Sequence, residues 1–264
     1  MRPEGAGVAG APYDPDWLVP DWPAPAGVGA VMSTRAGGVS AGAWASLNLR
    51  DGVGDDPAAV AANQRRYAQS LGGVPVWLNQ VHGRRVVRLT AASLATDAPE
   101  DADASITTEP GIACAVQVAD CLPVLYAAPG RRGVGAAHAG WRGLAGGVLE
   151  ATLEALCEAT GCRPDEVVAW LGACIGPRRF EVGADVLAAF GADPAAADGA
   201  FAAQPDGKWL ADLPRLARGR LAAAGVRSVS GGRWCTVEDA SRFFSFRRDR
   251  VTGRMAAAVW IERR

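Results

Sequence analysis

The chain has 264 residues, 49% of them hydrophobic, and a formal net charge of −1 with acidic and basic residues mixed along it. That length predicts one large domain, or at most two, with ample material for a buried core. The charge balance excludes a basic footprint for nucleic acid or an anionic membrane, and no apolar run approaches the roughly 20 residues of a membrane span.

Taken in chain order, the N-terminus "MRPEGAGVAGAPYDPDW" has no apolar core of signal-peptide length, which predicts a cytoplasmic protein. Residues 1–25 hold six prolines and predict a flexible tail ahead of a domain over residues 26–264, with order expected from near Val28. Asp55 to Pro57 reads as a helix start. Residues 75–78 and 84–89 read as strands around a turn at His82 and Gly83, and Ile112–Val118 and Leu122–Ala127 as two more, interrupted at "ADC". Residues 133–137 read as a buried strand. One helix is then expected over 144–159 from the spacing of Leu144, Val148, Leu149, Leu153 and Leu156. Further on come a strand at 167–171, helices at 184–190 and 211–224, and a terminal strand at 254–261. Strands and helices mixed in this way, with no repeat or linker, predict a single α/β (α+β) domain: a mixed central β-sheet flanked by helices.

Three soft or borderline ligands sit at turns that follow apolar, strand-like stretches: His82 in "WLNQVHG", Cys121 in "VQVADCLPV" and His138 in "GAAHAGWRG". Two imidazoles and a thiolate suit zinc and leave a fourth tetrahedral position open, the pattern of a catalytic rather than a structural site. A metal there would lower the pKa of a bound water toward about 7. A different reading makes Cys121 a nucleophile with His138 or His82 as its base, and the sequence leaves the two open. The six cysteines are too sparse for a disulfide scaffold and lack paired CxxC knuckles.

Around this set stand residues suited to a substrate. The junction after His138 offers helix N-terminal amides to an anion, with Arg142 beside it. Asp120 is a candidate to orient a ligand histidine, bind a substrate hydroxyl or move a proton. "STRAGGVS" contributes Arg35 in a glycine-containing loop suited to an oxyanion, and Asn48 and Gln80 are candidate polar contacts. "RFFSFRRDRVTGR" combines phenylalanines with Arg247 and other arginines; the aromatics and arginines could hold a base and a phosphate, but a β-hairpin with a charged outer face is its commoner meaning.

With "STRAGGVS", "SLNLRDGVGDDP", "NQVHG", "ADCLPV", "HAGWRGL", "GACIGP", "FEVG" and "FFSFRRDRVTGRMA" in that order, the sequence resembles the laccase-domain or multicopper polyphenol oxidase family. Its members are also described as purine nucleoside phosphorylases and, in some bacteria, as peptidoglycan editing factors. The resemblance implies a single α/β domain with a mixed central sheet, similar to that of a toxin deamidase. It implies His82, Cys121 and His138 as metal ligands, with Zn2+ the usual ion and Cu2+ the one reported for oxidase activity. It further implies phosphorolysis of adenosine, inosine and methylthioadenosine, deamination of adenosine, or removal of L-serine from a UDP-MurNAc-type precursor. The partners expected are a nucleoside and phosphate, with no nucleic acid and no membrane, for a monomer or homodimer. Three positions depart from the family's usual residues: Gln64 stands for arginine, Ala173 for proline and Phe246 for tyrosine. Because the chain has two histidines in total, a cluster of several coppers, which depends on imidazoles, is not expected.

Overall fold

The computed structural model describes residues 13–96, 98–193 and 199–263, in which thirteen strands and six α-helices follow one another. The first half holds β1 (Val28–Met32), α1 (Pro57–Ser70), β2 (Val74–Val76), β3 (Val86–Leu89), β4 (Ala104–Thr107), β5 (Ile112–Val118), β6 (Leu122–Ala127) and β7 (Val134–Ala139). Then come α2 (Trp141–Gly146), α3 (Val148–Thr160), β8 (Val168–Leu171), β9 (Glu181–Val182), α4 (Ala184–Ala189), β10 (Phe201–Gln204) and β11 (Lys208–Ala211). The chain ends with α5 (Leu213–Ala223), β12 (Ser228–Gly231), α6 (Phe246–Asp249) and β13 (Met255–Ile261).

The expected α/β domain is present, but its centre is two stacked mixed sheets rather than one. One runs β12-β8-β6-β7-β4-β3, the other β1-β13-β5-β2, and a small third sheet runs β10-β11-β9. The period-two alternation of the strands dictates this stacking, since a strand buried on both faces must send alternate side chains to two different cores. On β5, Ile112, Cys114, Val116 and Val118 face the core between the sheets, with Met255, Ala257 and Val259 of β13 and Trp170 of β8. Ala113 and Ala115 point the other way, under Tyr67 of α1 and Trp260. On the far side, Leu122, Val124 and Tyr126 of β6 meet Leu149, Leu153 and Leu156 of α3 and Leu221 of α5. Each fully buried aliphatic side chain there contributes about 1.5–3 kcal/mol.

Several expected boundaries move. Residues 1–12 of the expected tail lie outside the described residues; within 13–25, Trp17 and Leu18 are buried, and Leu18 exchanges two main-chain hydrogen bonds with Met32 of β1. The helix expected over 144–159 is two helices, because Gly147 adopts a φ of 92° between α2 and α3, a left-handed conformation that ends the first and redirects the second. The helix expected from 211 begins at Leu213: Ala211 belongs to β11, and the Asp212 side chain caps α5 by accepting from the Arg215 amide. The hairpin reading of 242–254 is also corrected. That segment carries the short helix α6, capped by Ser245 Oγ, which accepts from the Arg248 amide. The expected helix start is present, with Asp56 capping α1 and Pro57 at its first position.

Candidate metal centre

Three chain turns bring the two histidines and Cys121 to one edge of the sheet stack. Antiparallel pairing of β6 with β7 sets Pro123 opposite His138 and Leu122 opposite Ala139, so Cys121 lies beside Gly140. His82 stands in the turn before β3. His82 and Asp120 have φ of 61° and 86°, a left-handed region that non-glycine residues seldom occupy and that is found preferentially where a site over-determines it.

The ligand atoms of His82, Cys121 and His138 lie within 4.8 Å of one another, and Cys121 Sγ is 3.8 Å from His82 Nε2. A tetrahedral ion with bonds of about 2.0–2.3 Å separates its ligands by about 3.3–3.8 Å, so the set needs only a small contraction to close on a metal. Gly140 is the cradle: a Cβ there would stand 2.9 Å from Cys121 Sγ and 3.0 Å from His82 Cδ2. Among the described residues this is the single group of three His, Cys, Asp or Glu side chains so placed, and it uses both histidines of the chain. Several coppers have no second set of imidazoles to bind.

Asp103, which sequence reasoning does not single out, organises the centre. Its main-chain oxygen accepts from the His138 amide at 2.7 Å and thereby sets the carboxylate alongside the imidazole. Oδ1 then accepts from His138 Nδ1 at 2.8 Å and from the His82 amide at 2.9 Å, while Oδ2 accepts from the amides of Gly83 at 2.7 Å and Val81 at 3.2 Å. The bond to Nδ1 leaves Nε2 of His138 as the atom free to meet a metal. Asp103 is completely buried. Burial acts to raise its pKa, and the hydrogen bonds from His138 and the 82–83 amides outweigh that and hold the carboxyl below its usual range. A lone aspartate in "EDADAS" carries no spacing signal; the acidic residue just ahead of the strand-like "ASIT" is the hint the sequence holds.

Charge follows the same geometry. Burial acts to raise the Cys121 thiol, but His138 and His82 prevail and bring its pKa down to about 6. Burial acts to lower His138, yet Cys121 and Asp103 push it up to about 9. The pair thus favours the charged forms of both partners, thiolate and imidazolium.

The other expected site residues divide sharply. Asp120 does not orient a histidine, a role that falls to Asp103; its Oδ1 accepts from Thr236 Oγ1 at 2.5 Å and its Oδ2 from the Arg247 amide at 2.6 Å. Asn48 is fully buried, and its amide is saturated: it donates to Arg50 O and Asp55 Oδ2 and accepts from the amides of Arg50 and Arg254. Gln80 pairs through both ends of its amide with the main chain of Gln117. Arg35 donates to the carbonyls of Ala45 and Ala240. Through these contacts the last three tie loops together. Arg142 is exposed on the first turn of α2, stacked 4.2 Å over Trp141, and makes no hydrogen bond or ion pair among the described residues. The short α2, six residues long, offers little dipole of its own. Arg247 is exposed and donates to Glu181 O.

Two further arginines emerge only in three dimensions. The amides of Arg50 and Arg254 donate to the same Asn48 Oδ1, which sets the two residues side by side. Burial lowers the Arg254 pKa, as does the neighbouring Arg50, while Cys121 and Asp120 act the other way, so this cation lies within electrostatic reach of the metal centre. Neither arginine makes an ion pair with a carboxylate among the described residues.

Two imidazoles and a thiol brought together at one edge of the sheets, backed by a buried carboxylate and within electrostatic reach of Arg254, define an α/β protein with a candidate mononuclear His2Cys centre. The chain belongs to the multi-copper polyphenol oxidoreductase laccase family, whose model matches residues 29–262. It is 50% identical over 247 residues to a purine nucleoside phosphorylase of Pseudomonas aeruginosa, covering 93% of this chain and 98% of that one. It is 49% identical over 246 residues to the purine nucleoside phosphorylase YfiH of Escherichia coli, covering 92% and 98%. Among solved structures, NMB0706 of Neisseria meningitidis superposes with a TM-score of 0.87 at 47% identity, over 94% of this chain and 100% of that one. YlmD of Geobacillus stearothermophilus gives 0.86 at 34% identity, over 94% and 96%. No helix among the described residues is long and apolar enough to cross a membrane.

Proposed function

We propose that this protein is a zinc-dependent purine nucleoside phosphorylase acting on adenosine, inosine and methylthioadenosine in the cytoplasm. The observation that carries the reading is a cysteine and two histidines converging within electrostatic reach of Arg254, which makes no ion pair with a carboxylate among the described residues. The likeness to relatives named purine nucleoside phosphorylases supports it. In phosphorolysis a phosphate oxygen bonds to ribose C1′ as the C1′–N9 bond breaks, and the electron pair leaves with the purine, which takes up a proton. Negative charge must therefore be held against a sugar that becomes cationic. Arg50 and Arg254 supply fixed positive charge for the phosphate, with Arg142 and Arg247 at the rim. A zinc ion on His82, Cys121 and His138 would supply a Lewis acid at the same place. His138 and His82 are oriented for it by Asp103, and Gly140 leaves the space.

Adenosine deamination on the same centre would need a carboxylate to move a proton, for which Asp120 is the neighbour of Cys121; copper in place of zinc would account for phenol oxidation as a side activity. A second reading rests on the lowered thiol pKa of about 6. It makes Cys121 the nucleophile of an amide hydrolase that releases L-serine from a UDP-MurNAc-type precursor. Untagged, zinc-loaded protein given adenosine and phosphate should yield adenine and ribose 1-phosphate in equal amounts, with no adenine formed when phosphate is withheld. Failure to form ribose 1-phosphate refutes the proposal; serine release from the muramyl precursor, lost in Cys121→Ala, would install the second reading.

A further inference from the structure

Phe246 is the one aromatic among the large hydrophobic side chains exposed in the described residues, at 45%. Surface aromatics are commonly excused as incidental, but this one is held in place from several sides. The amide of the next residue, Arg247, donates to Asp120 Oδ2, and Asp120 precedes the ligand Cys121. Ser245, the residue before the ring, caps α6. Arg248 anchors the same turn to the carbonyls of Thr236 at 2.7 Å and Phe243 at 3.0 Å. The turn then closes at Arg250, whose φ is 61°. An exposed apolar ring on a mobile loop needs no explanation. A ring carried on a turn that is tied down by these hydrogen bonds, one of them to the residue before Cys121, calls for one.

The surroundings indicate what it meets. The guanidinium carbons of Arg254 and Arg250 lie 5.7 and 5.8 Å from the ring centroid. Arg254 is also the partner of Arg50 on Asn48 Oδ1. Val81, next to His82, is a second exposed apolar side chain, at 52%. The exposed ring thus shares Arg254 with Asn48 and its partner Arg50, and Arg254 lies within electrostatic reach of Cys121. That combination fits a planar heteroaromatic group carrying, or standing beside, an anion.

We infer that Phe246 is the stacking platform for the base of the substrate, and so a specificity-determining residue of this site. The inference rests on the purine nucleoside reading above. Phe246 has no phenolic hydroxyl, so the contact it offers is the ring face alone, which tolerates any purine rather than selecting one by a hydrogen bond.

The test is equilibrium binding of inosine to the zinc-loaded protein without phosphate, where no phosphorolysis occurs and no exocyclic amine is available for removal. Phe246→Leu keeps apolar bulk and removes the π-face; Phe246→Tyr restores it. The inference expects inosine to bind roughly tenfold more weakly to Phe246→Leu and within about twofold of the parent to Phe246→Tyr. Inorganic phosphate affinity, zinc content and melting temperature should be unchanged in both. Parent-like inosine binding by Phe246→Leu overturns the inference while leaving the phosphorylase reading intact, as does a loss of zinc that accounts for the weakened binding. If the parent neither binds inosine nor forms ribose 1-phosphate, the reading itself falls and takes the inference with it.

Discussion

Replacing Asp103 by asparagine removes one charge and no volume, and its consequence can be worked from four distances. The carboxylate accepts two N–H groups on each oxygen: His138 Nδ1 and the His82 amide on Oδ1, the Gly83 and Val81 amides on Oδ2. An asparagine offers one oxygen and one NH2, so whichever way the amide turns, two donors face a donor. Each donor left without a partner costs about 1–3 kcal/mol, the upper end at the buried His138 Nδ1 and the lower end at the part-buried amides of residues 81–83, which puts Asp103→Asn at roughly 2–6 kcal/mol of a total stability of about 5–15. For a chain of this size that is a fall of roughly 5–20 °C in melting temperature. The same change frees the His138 ring and the strained His82 backbone, so zinc affinity should fall by about 10–100-fold. Thermal unfolding of metal-free protein, with zinc affinity from competition against a chelator, reads the two effects separately. An Asp103→Asn protein with the parent's melting temperature and a zinc affinity within twofold would refute the argument that this carboxylate builds the centre.

Gly140→Ala should fold, because its φ of −65° and ψ of 162° suit any residue, yet fail to hold zinc, because the new Cβ stands on Cys121 Sγ and His82; metal content after desalting decides. Arg254→Gln should raise KM for phosphate by roughly tenfold or more and leave inosine affinity near the parent's, read from initial rates at varied phosphate. The pH dependence of the metal-free protein has a definite sign. The Cys121 pKa drops from 9.0 to about 6 on folding, so its contribution is full above pH 9 and is lost as pH falls through about 6. The His138 pKa rises from 6.5 to about 9, so its contribution is full below 6.5 and is lost as pH rises through about 9. Stability of the metal-free centre should therefore peak between about pH 6 and 9 in a series of melting curves. At neutral pH, zinc binding should expel about one proton, from His138, which calorimetry in buffers of different ionisation enthalpy measures. Chelation should lower the melting temperature by an amount that depends on the zinc concentration before treatment.

The candidate ligand set, whose three residues do converge, was legible because its chemistry is local: a histidine or cysteine ending an apolar run at a turn announces itself within a few residues, as "NQVHG", "ADCLPV" and "HAGWRG" do. Most longer elements were legible for the same reason, through strand runs such as Ile112–Val118 and the cap at Asp56. The contacts of Asn48, Gln80 and Arg35 were not, since the same polar side chains serve a substrate or a loop equally well until their partners are known. The Gly147 break was hidden because the apolar spacing of α2 and α3 runs through it in register.

By itself the sequence determined the donors, the glycine beside them and the alternation that makes buried strands, all of which depend on residue type and neighbours along the chain. Only the tertiary structure decided that the sheets stack in two layers, that Asp103 stands opposite His138, and that Arg50 and Arg254 meet on one oxygen of Asn48. Asp103 lies 35 residues from His138, and Asn48 lies 206 residues from Arg254. Pairings of that kind are set by strand register and the burial of polar groups, and neither leaves a periodic mark in the order of residues.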